Sequence, residues 1–295
     1  AIEAVIEGKT PITALFLLYK FSFFFFVYFL FYYYFCSEFK FCKMAKLEEV
    51  TIRGYKSIAF DQPVTLKLND VSILLGANGA GKSNIISFFQ MLSYMMSKSF
   101  GKYVEMSGTS NALLHYGSKK TPIMSGEIKF SDNKSIDTYS FSLTNANPDR
   151  LIITDEKISW HRNGENKPYE INLEPEYKES ALAESTNPTA KIIFQMLSSC
   201  KVYQFHDSSA EGPLRQVCPV ETTNYLQSHG NNLPSFLLFL RENHKDSYNR
   251  IVDYVRDVVP QFQDFYLEPN NRFISLRWMD NSATDYRFNA YQFSD

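Results

Sequence analysis

A two-residue alternation of apolar and polar side chains first sets in at Leu47-Glu48-Glu49-Val50-Thr51-Ile52 and predicts a strand ending near Gly54. Val64-Thr65-Leu66-Lys67-Leu68 alternates again, Asn69-Asp70 supplies a turn, and the apolar run Val71-Ser72-Ile73-Leu74-Leu75 predicts a buried strand. The period then changes. Ile85, Ile86, Phe89, Leu92 and Met96 recur at i, i+3, i+4 and i+7, the spacing of a helix that starts at Ser83. Ser, Gly and Asn residues between Ser97 and Asn111 predict a loop. Strands are predicted next at residues 126–130, 138–143 and 151–160, joined by turn chemistry at Asp132-Asn133-Lys134 and Asn145-Ala146-Asn147-Pro148-Asp149. Residues 174–189, rich in Glu, Ser and Asn with Pro175 and Pro188, predict a mobile link. Helices are predicted over 190–199, 234–242 and 248–259. The last gathers Tyr248, Ile251, Val252, Val255, Val258 and Val259 on one side and is stopped by Pro260. Ile274, Leu276 and Trp278 alternate with Ser275 and Arg277, one further half-buried strand.

These patterns predict an α/β fold in three parts, with no repeat at solenoid periods. Residues 44–175 form a phosphate-loop core with an antiparallel β-rich subdomain. Residues 176–265 are mainly helical, and residues 266–295 are strands returning to the core. Residues 1–43 stand apart. Ten of the 26 phenylalanines fall between Phe21 and Phe41, in a low-complexity run that includes Phe23-Phe24-Phe25-Phe26 and Tyr32-Tyr33-Tyr34. Three readings compete. A membrane helix over residues 12–36 has the length to span, but Lys20 sits near its middle and aromatic rings prefer the interface. A secretory signal lacks a basic start and a small-residue cleavage site. The third reading is non-native sequence, with the domain opening at Met44-Ala45-Lys46.

Composition adds bounds. The 295 residues suffice for one large domain or two small ones, and 44% hydrophobic with 21% charged is a globular balance. A net charge of −2 gives no global argument for a nucleic-acid or anionic-membrane binder. Lys98, Lys102, Lys119 and Lys120 form a loose basic tract, read as a solvated loop before a DNA contact. Cys36, Cys42, Cys200 and Cys218 show no C-x-x-C pairing and no zinc-ligand spacing. Cys200 and Cys218 read as free thiols, buried or half-buried, of a cytoplasmic protein.

The chemistry concentrates in Gly76-Ala77-Asn78-Gly79-Ala80-Gly81-Lys82-Ser83. Between a buried strand and an amphipathic helix, this G-x-x-x-x-G-K-S string is a phosphate-loop (Walker A) motif. Its glycines let the backbone wrap an anion, successive N–H groups point inward, and the helix aims its positive end at the same place. Gly76, Asn78, Gly79, Ala80, Gly81, Lys82, Ser83 and Asn84 are the predicted nucleotide-binding residues. Lys82 would reach the β- and γ-phosphates, and the Ser83 hydroxyl would ligate Mg²⁺.

Residues Leu47 to Ile58 followed by Ser72 to Asn84 resemble the opening of ABC-type ATPases of the SMC/RecF kind. The phrases Val202-Tyr203-Gln204-Phe205-His206-Asp207-Ser208-Ser209 and Gly230-Asn231-Asn232-Leu233-Pro234-Ser235-Phe236-Leu237 are similar to ones in bacterial "AAA family ATPase" proteins of that branch. The likeness runs from about Met44 to Asp295. It implies an ATP- and Mg²⁺-binding head with an ABC-ATPase-like core. Such a head works as a homodimer through the nucleotide site, hydrolyses ATP when intact, and serves DNA repair or phage defence through DNA or an effector protein. The family's signature tends to begin Ser-Asp-Gly-Thr, and this chain closes Phe293-Ser294-Asp295. The resemblance therefore implies that the Walker B acids and signature lie beyond it, that no catalytic residue is present, and that this piece alone is inactive or nearly so. Arg53 and Lys56 follow the first strand, where the family approaches the nucleotide base. A Q-loop glutamine has no match, since Gln90 is too close to the loop.

Two patterns imitate active-site parts. Leu151-Ile152-Ile153-Thr154-Asp155-Glu156 is an apolar run ending in two acids, as in a Walker B strand. A simple membrane-tethered NTPase would use Asp155 and Glu156. Thr154 interrupts the run, however, and the strand continues into Lys157-Ile158-Ser159-Trp160, which favours a structural strand. His206-Asp207 would be an acid/base pair only if both faced one substrate, and neighbours on a strand do not. A nucleotide-binding regulatory module without turnover is the alternative function.

Overall fold

The computed structural model describes residues 14–17, 45–132, 134–165, 167–174, 178–203, 212–220 and 225–292. The chain divides into two compact units, the first running to Lys201 and the second from Val202 onward, apart from the low-complexity segment. Most of residues 1–43, most of the His206-Asp207 phrase and the closing Phe293-Ser294-Asp295 lie outside the described residues. Among the described residues no helix is long and apolar enough to cross a membrane.

The first unit is built on a six-stranded antiparallel sheet. Its strands are β2 (Lys46–Arg53), β3 (Val64–Lys67), β5 (Ile123–Ser131), β6 (Ser135–Ala146), β7 (Arg150–Arg162) and β8 (Tyr169–Leu173), in the spatial order β3-β2-β5-β6-β7-β8. Short turns make the antiparallel pairing possible. Asp132 Oδ1, for example, accepts from the backbone N–H groups of Lys134 and Ser135 and so closes the β5–β6 hairpin. β4 (Val71–Leu74) stands outside this sheet and pairs in parallel with β1 (Ala14–Leu17). The parallel element expected of a phosphate-loop core is represented, among the described residues, by this pair alone.

One face of the large sheet is apolar: Val50, Ile52, Ile128, Phe141, Leu143, Ile153 and Ile158 are all buried. Helix α1 (Lys82–Met96) packs there. Its Phe88 stacks on Phe141 at 6.1 Å between ring centroids and meets Tyr55 edge-on at 5.8 Å. The close approach depends on Gly126, where a Cβ would stand 2.6 Å from Phe141 Cζ and 2.8 Å from Phe88 Cζ.

β7 carries a bulge. Ser142 faces Asp155 and Leu143 faces Ile153, leaving Thr154 as the extra residue. The inward set therefore runs Leu151, Ile153, then Glu156 and Ile158, so the bulge turns Glu156 into the core.

Three expectations change. Residues 97–111 are not a loop: α2 (Phe100–Met106) and α3 (Thr109–Leu113) form there, anchored by buried Phe100, Tyr103, Val104 and Leu113. The described part of the 174–189 link is tied down. Ser180 and Ala181 donate to Glu156, Glu179 accepts from the Phe100 amide, and Asn187 caps α4 (Pro188–Ser199). The strand expected around 274–278 is two strands, β11 (Phe273–Ile274) and β12 (Arg277–Asp280), with separate partners.

In the second unit, β10 (Phe262–Phe265), β12 and β13 (Ala283–Asn289) form an antiparallel sheet, while β9 (Cys218–Pro219) pairs with β11. Helices α5 (Leu233–Asn243) and α6 (Lys245–Val258) contribute Phe236, Leu240, Tyr248, Ile251 and Val255 to a core completed by Phe262, Phe265 and Trp278. Cys218 is a buried thiol outside any disulfide. Cys200 is a half-buried one, its thiol pushed up to about 11 by burial.

Candidate functional site: the phosphate loop

β4 ends at Leu74, α1 begins at Lys82, and the intervening residues turn through a loop whose positions 75–80 are exposed. Gly79 (φ 82°) and Gly81 (φ 89°) adopt left-handed conformations that side chains resist, and a Cβ at Gly79 would meet open space. The bend is therefore a matter of backbone conformation, with room left over it.

Several donors of the loop are uncommitted. Among the described residues, no acceptor meets the backbone N–H of Gly79, Gly81 or Ser83, while the Ala80 amide is used within the loop on Ala77 O at 3.2 Å. Unpaired amides at the start of a 15-residue helix add their dipoles to its positive end. Lys82 is 5% exposed. Its ammonium donates to the carbonyls of Gly76 at 2.6 Å and Ala77 at 2.8 Å, so the loop folds over its own lysine. The Ser83 side chain is exposed at the first helical turn. These residues fit a phosphate chain. Gly79, Gly81 and Ser83 amides with the Lys82 ammonium would hold the oxygens, and the Ser83 hydroxyl would give Mg²⁺ one ligand, the rest coming from phosphate and water.

A second layer supports the loop. Asn84 Nδ2 donates to Ser57 Oγ at 2.6 Å, and that same Oγ lies 3.2 Å from where a Cβ on Gly81 would stand. Lys56 Nζ donates to Ser87 Oγ at 2.9 Å, and Ser87 Oγ donates to Asn84 O at 3.0 Å. Tyr103 donates its phenol proton to Ser87 O at 2.8 Å and lies 3.0 Å from the Tyr55 hydroxyl. The Lys56 carbonyl is 2.7 Å from His115 Nδ1. Burial pushes the Tyr55 phenol up and the Lys56 ammonium down from their ordinary values.

The two candidates for base contact are separated. Lys56 is bound to α1, whereas Arg53 lies on the open face of the sheet, lining a shallow polar concavity with Thr51, Ser125, Glu127 and Ser142. Asn78 and Ala80 are exposed in the loop, and Asn84 is committed to Ser57. Sequence reasoning missed Ser57, Ser87, Tyr103 and His115. For Ser57 a cue existed, since it sits in the segment on which the family resemblance rests.

No family model matches the chain, and no curated protein matches it.

Asp155 and Glu156 do not form a shared acid site. Asp155 is exposed, 3.8 Å from Lys157, on the open face. Glu156 is 1% exposed on the opposite face. It accepts from Tyr139 OH at 2.7 Å, from Ser180 Oγ and from the Ala181 amide at 2.8 Å. Burial, then the adjacent Glu156 charge, push the Tyr139 phenol well up, which keeps it a donor. Among the described residues no cluster of three His, Cys, Asp or Glu is arranged to hold a metal.

Proposed function

We propose that this chain binds ATP with Mg²⁺ at the Gly76–Ser83 loop, as a head of an SMC/RecF-like ABC ATPase that acts as a homodimer. The observation that carries the reading is the set of unpaired amides on Gly79, Gly81 and Ser83 around the buried Lys82 ammonium. A triphosphate is the ligand that this donor set suits best, because its oxygens accept from several N–H groups at once. Hydrolysis belongs to the intact dimer, with its energy passed to DNA or an effector protein. The second reading is a regulatory module that binds nucleotide without turning it over. It is favoured by the splitting of Asp155 and Glu156 between two faces of β7. Titration of a fluorescent ATP analogue with Mg²⁺ tests both readings. Lys82→Ala should weaken binding roughly 100-fold, the loss of one or two charge-assisted hydrogen bonds, with the circular dichroism spectrum unchanged. Equal affinity in that variant overturns the nucleotide site; because the first reading expects little turnover from this chain alone, the second is selected by binding without phosphate release in the intact dimer.

A further inference from the structure

We infer that the second unit carries a phosphate-binding site of its own, formed by Arg277 and Arg287 about the ring of Tyr266. The two arginines flank Trp278 and Phe288, which stack on each other at 4.5 Å across β12 and β13. Strand alternation therefore sends both guanidiniums to the sheet face that those rings do not occupy. The guanidinium carbons lie 4.7 Å (Arg277) and 4.8 Å (Arg287) from the centroid of the Tyr266 ring.

Both groups are oriented without being neutralised. Arg277 Nη2 donates to Glu268 O at 2.9 Å, and Arg287 Nη1 donates to the carbonyls of Thr284 and Tyr286. No carboxylate of a described residue comes within 4 Å of either guanidinium. The nearby Glu268 carboxylate is engaged at 2.6 Å by the Tyr266 hydroxyl. Among the described residues, Arg277 Nε has no hydrogen-bond partner. Two like charges held near one ring centroid repel each other, and an anion that reaches both guanidiniums lowers that penalty. A planar carboxylate is saturated by one arginine fork. A tetrahedral phosphate has oxygens for the N–H groups of both, so phosphate is the better match.

The test uses the full chain carrying Lys82→Ala, which keeps the phosphate loop silent. Fluorescence anisotropy with a labelled oligodeoxythymidylate, and calorimetry with inorganic phosphate, distinguish a nucleic-acid backbone from a free phosphoryl group as the source. Arg277→Gln/Arg287→Gln should weaken whichever probe binds by roughly tenfold or more. For the oligonucleotide, the slope of log affinity on log salt should fall by about 0.7 for each phosphate no longer neutralised. Arg287→Gln alone, which gives up exposed carbonyl contacts and the contact with the Tyr266 ring, should weaken binding about threefold if the double variant does not fold. Binding of either probe that both variants diminish supports the site. No binding of either probe, or affinity that the variants leave unchanged, overturns it. The outcome is independent of the nucleotide reading, because Lys82 is replaced throughout.

Discussion

The glycine loop after β4 and the acid-tipped strand β7 both carry residue types found in nucleotide sites, yet the chain treats them in opposite ways. The loop exposes its amides and leaves three of them without acceptors among the described residues. The strand buries its carboxylate and surrounds it with three donors. An open donor set has capacity left for a ligand, whereas the capacity of a saturated acceptor is spent on the fold. The residue types of a motif therefore matter less than whether their hydrogen-bonding capacity is already used.

The strand should respond most strongly to substitution. Glu156→Ala strands the Tyr139 hydroxyl, the Ser180 hydroxyl and the Ala181 amide, and should cost roughly 3–5 kcal/mol in urea unfolding. Glu156→Gln keeps an acceptor and should cost clearly less, while ATP affinity stays at the parent value. A fall in affinity there would erase the contrast and return Glu156 to the site. Gly126→Ala comes next. Its methyl group would press Phe88 and Phe141 apart and should cost roughly 2–3 kcal/mol of stability. Because Phe88 rides on the helix that carries the loop, weaker ATP binding should accompany the reduced stability. The loop's own support should show the mildest response. Ser57→Ala removes the partner of Asn84 and should lower ATP affinity about fivefold, near 1 kcal/mol, with little change in the unfolding midpoint.

Legibility in the sequence follows the range of the interactions. The strand–loop–helix around Lys82 is readable because glycine conformation, apolar run and helical spacing are all local to a short stretch of chain, although the strand expected to be buried has only Leu74 buried and leaves Leu75 exposed. β2, β5, β6 and β7 are readable for the same reason, though each runs further than its alternation shows. Helices α2 and α3 are hidden by a Ser-, Gly- and Asn-rich composition, and only the packing of Phe100 and Tyr103 overrides it. The inward turn of Glu156 depends on one extra residue in a bulge, which no two-residue period can register. Tyr266, Arg277 and Arg287 come from three separate strands or strand ends, so their meeting is a property of pairing register alone.

The grip of Lys82 on the carbonyls of Gly76 and Ala77 has a thermodynamic consequence. In the resting loop these two carbonyls occupy the ammonium donors, and on the proposed reading a triphosphate would have to displace both bonds before Lys82 could donate to it. Measured affinity would then understate the intrinsic attraction by the free energy of that exchange. Substitutions that merely loosen the carbonyls should tighten nucleotide binding without touching the nucleotide.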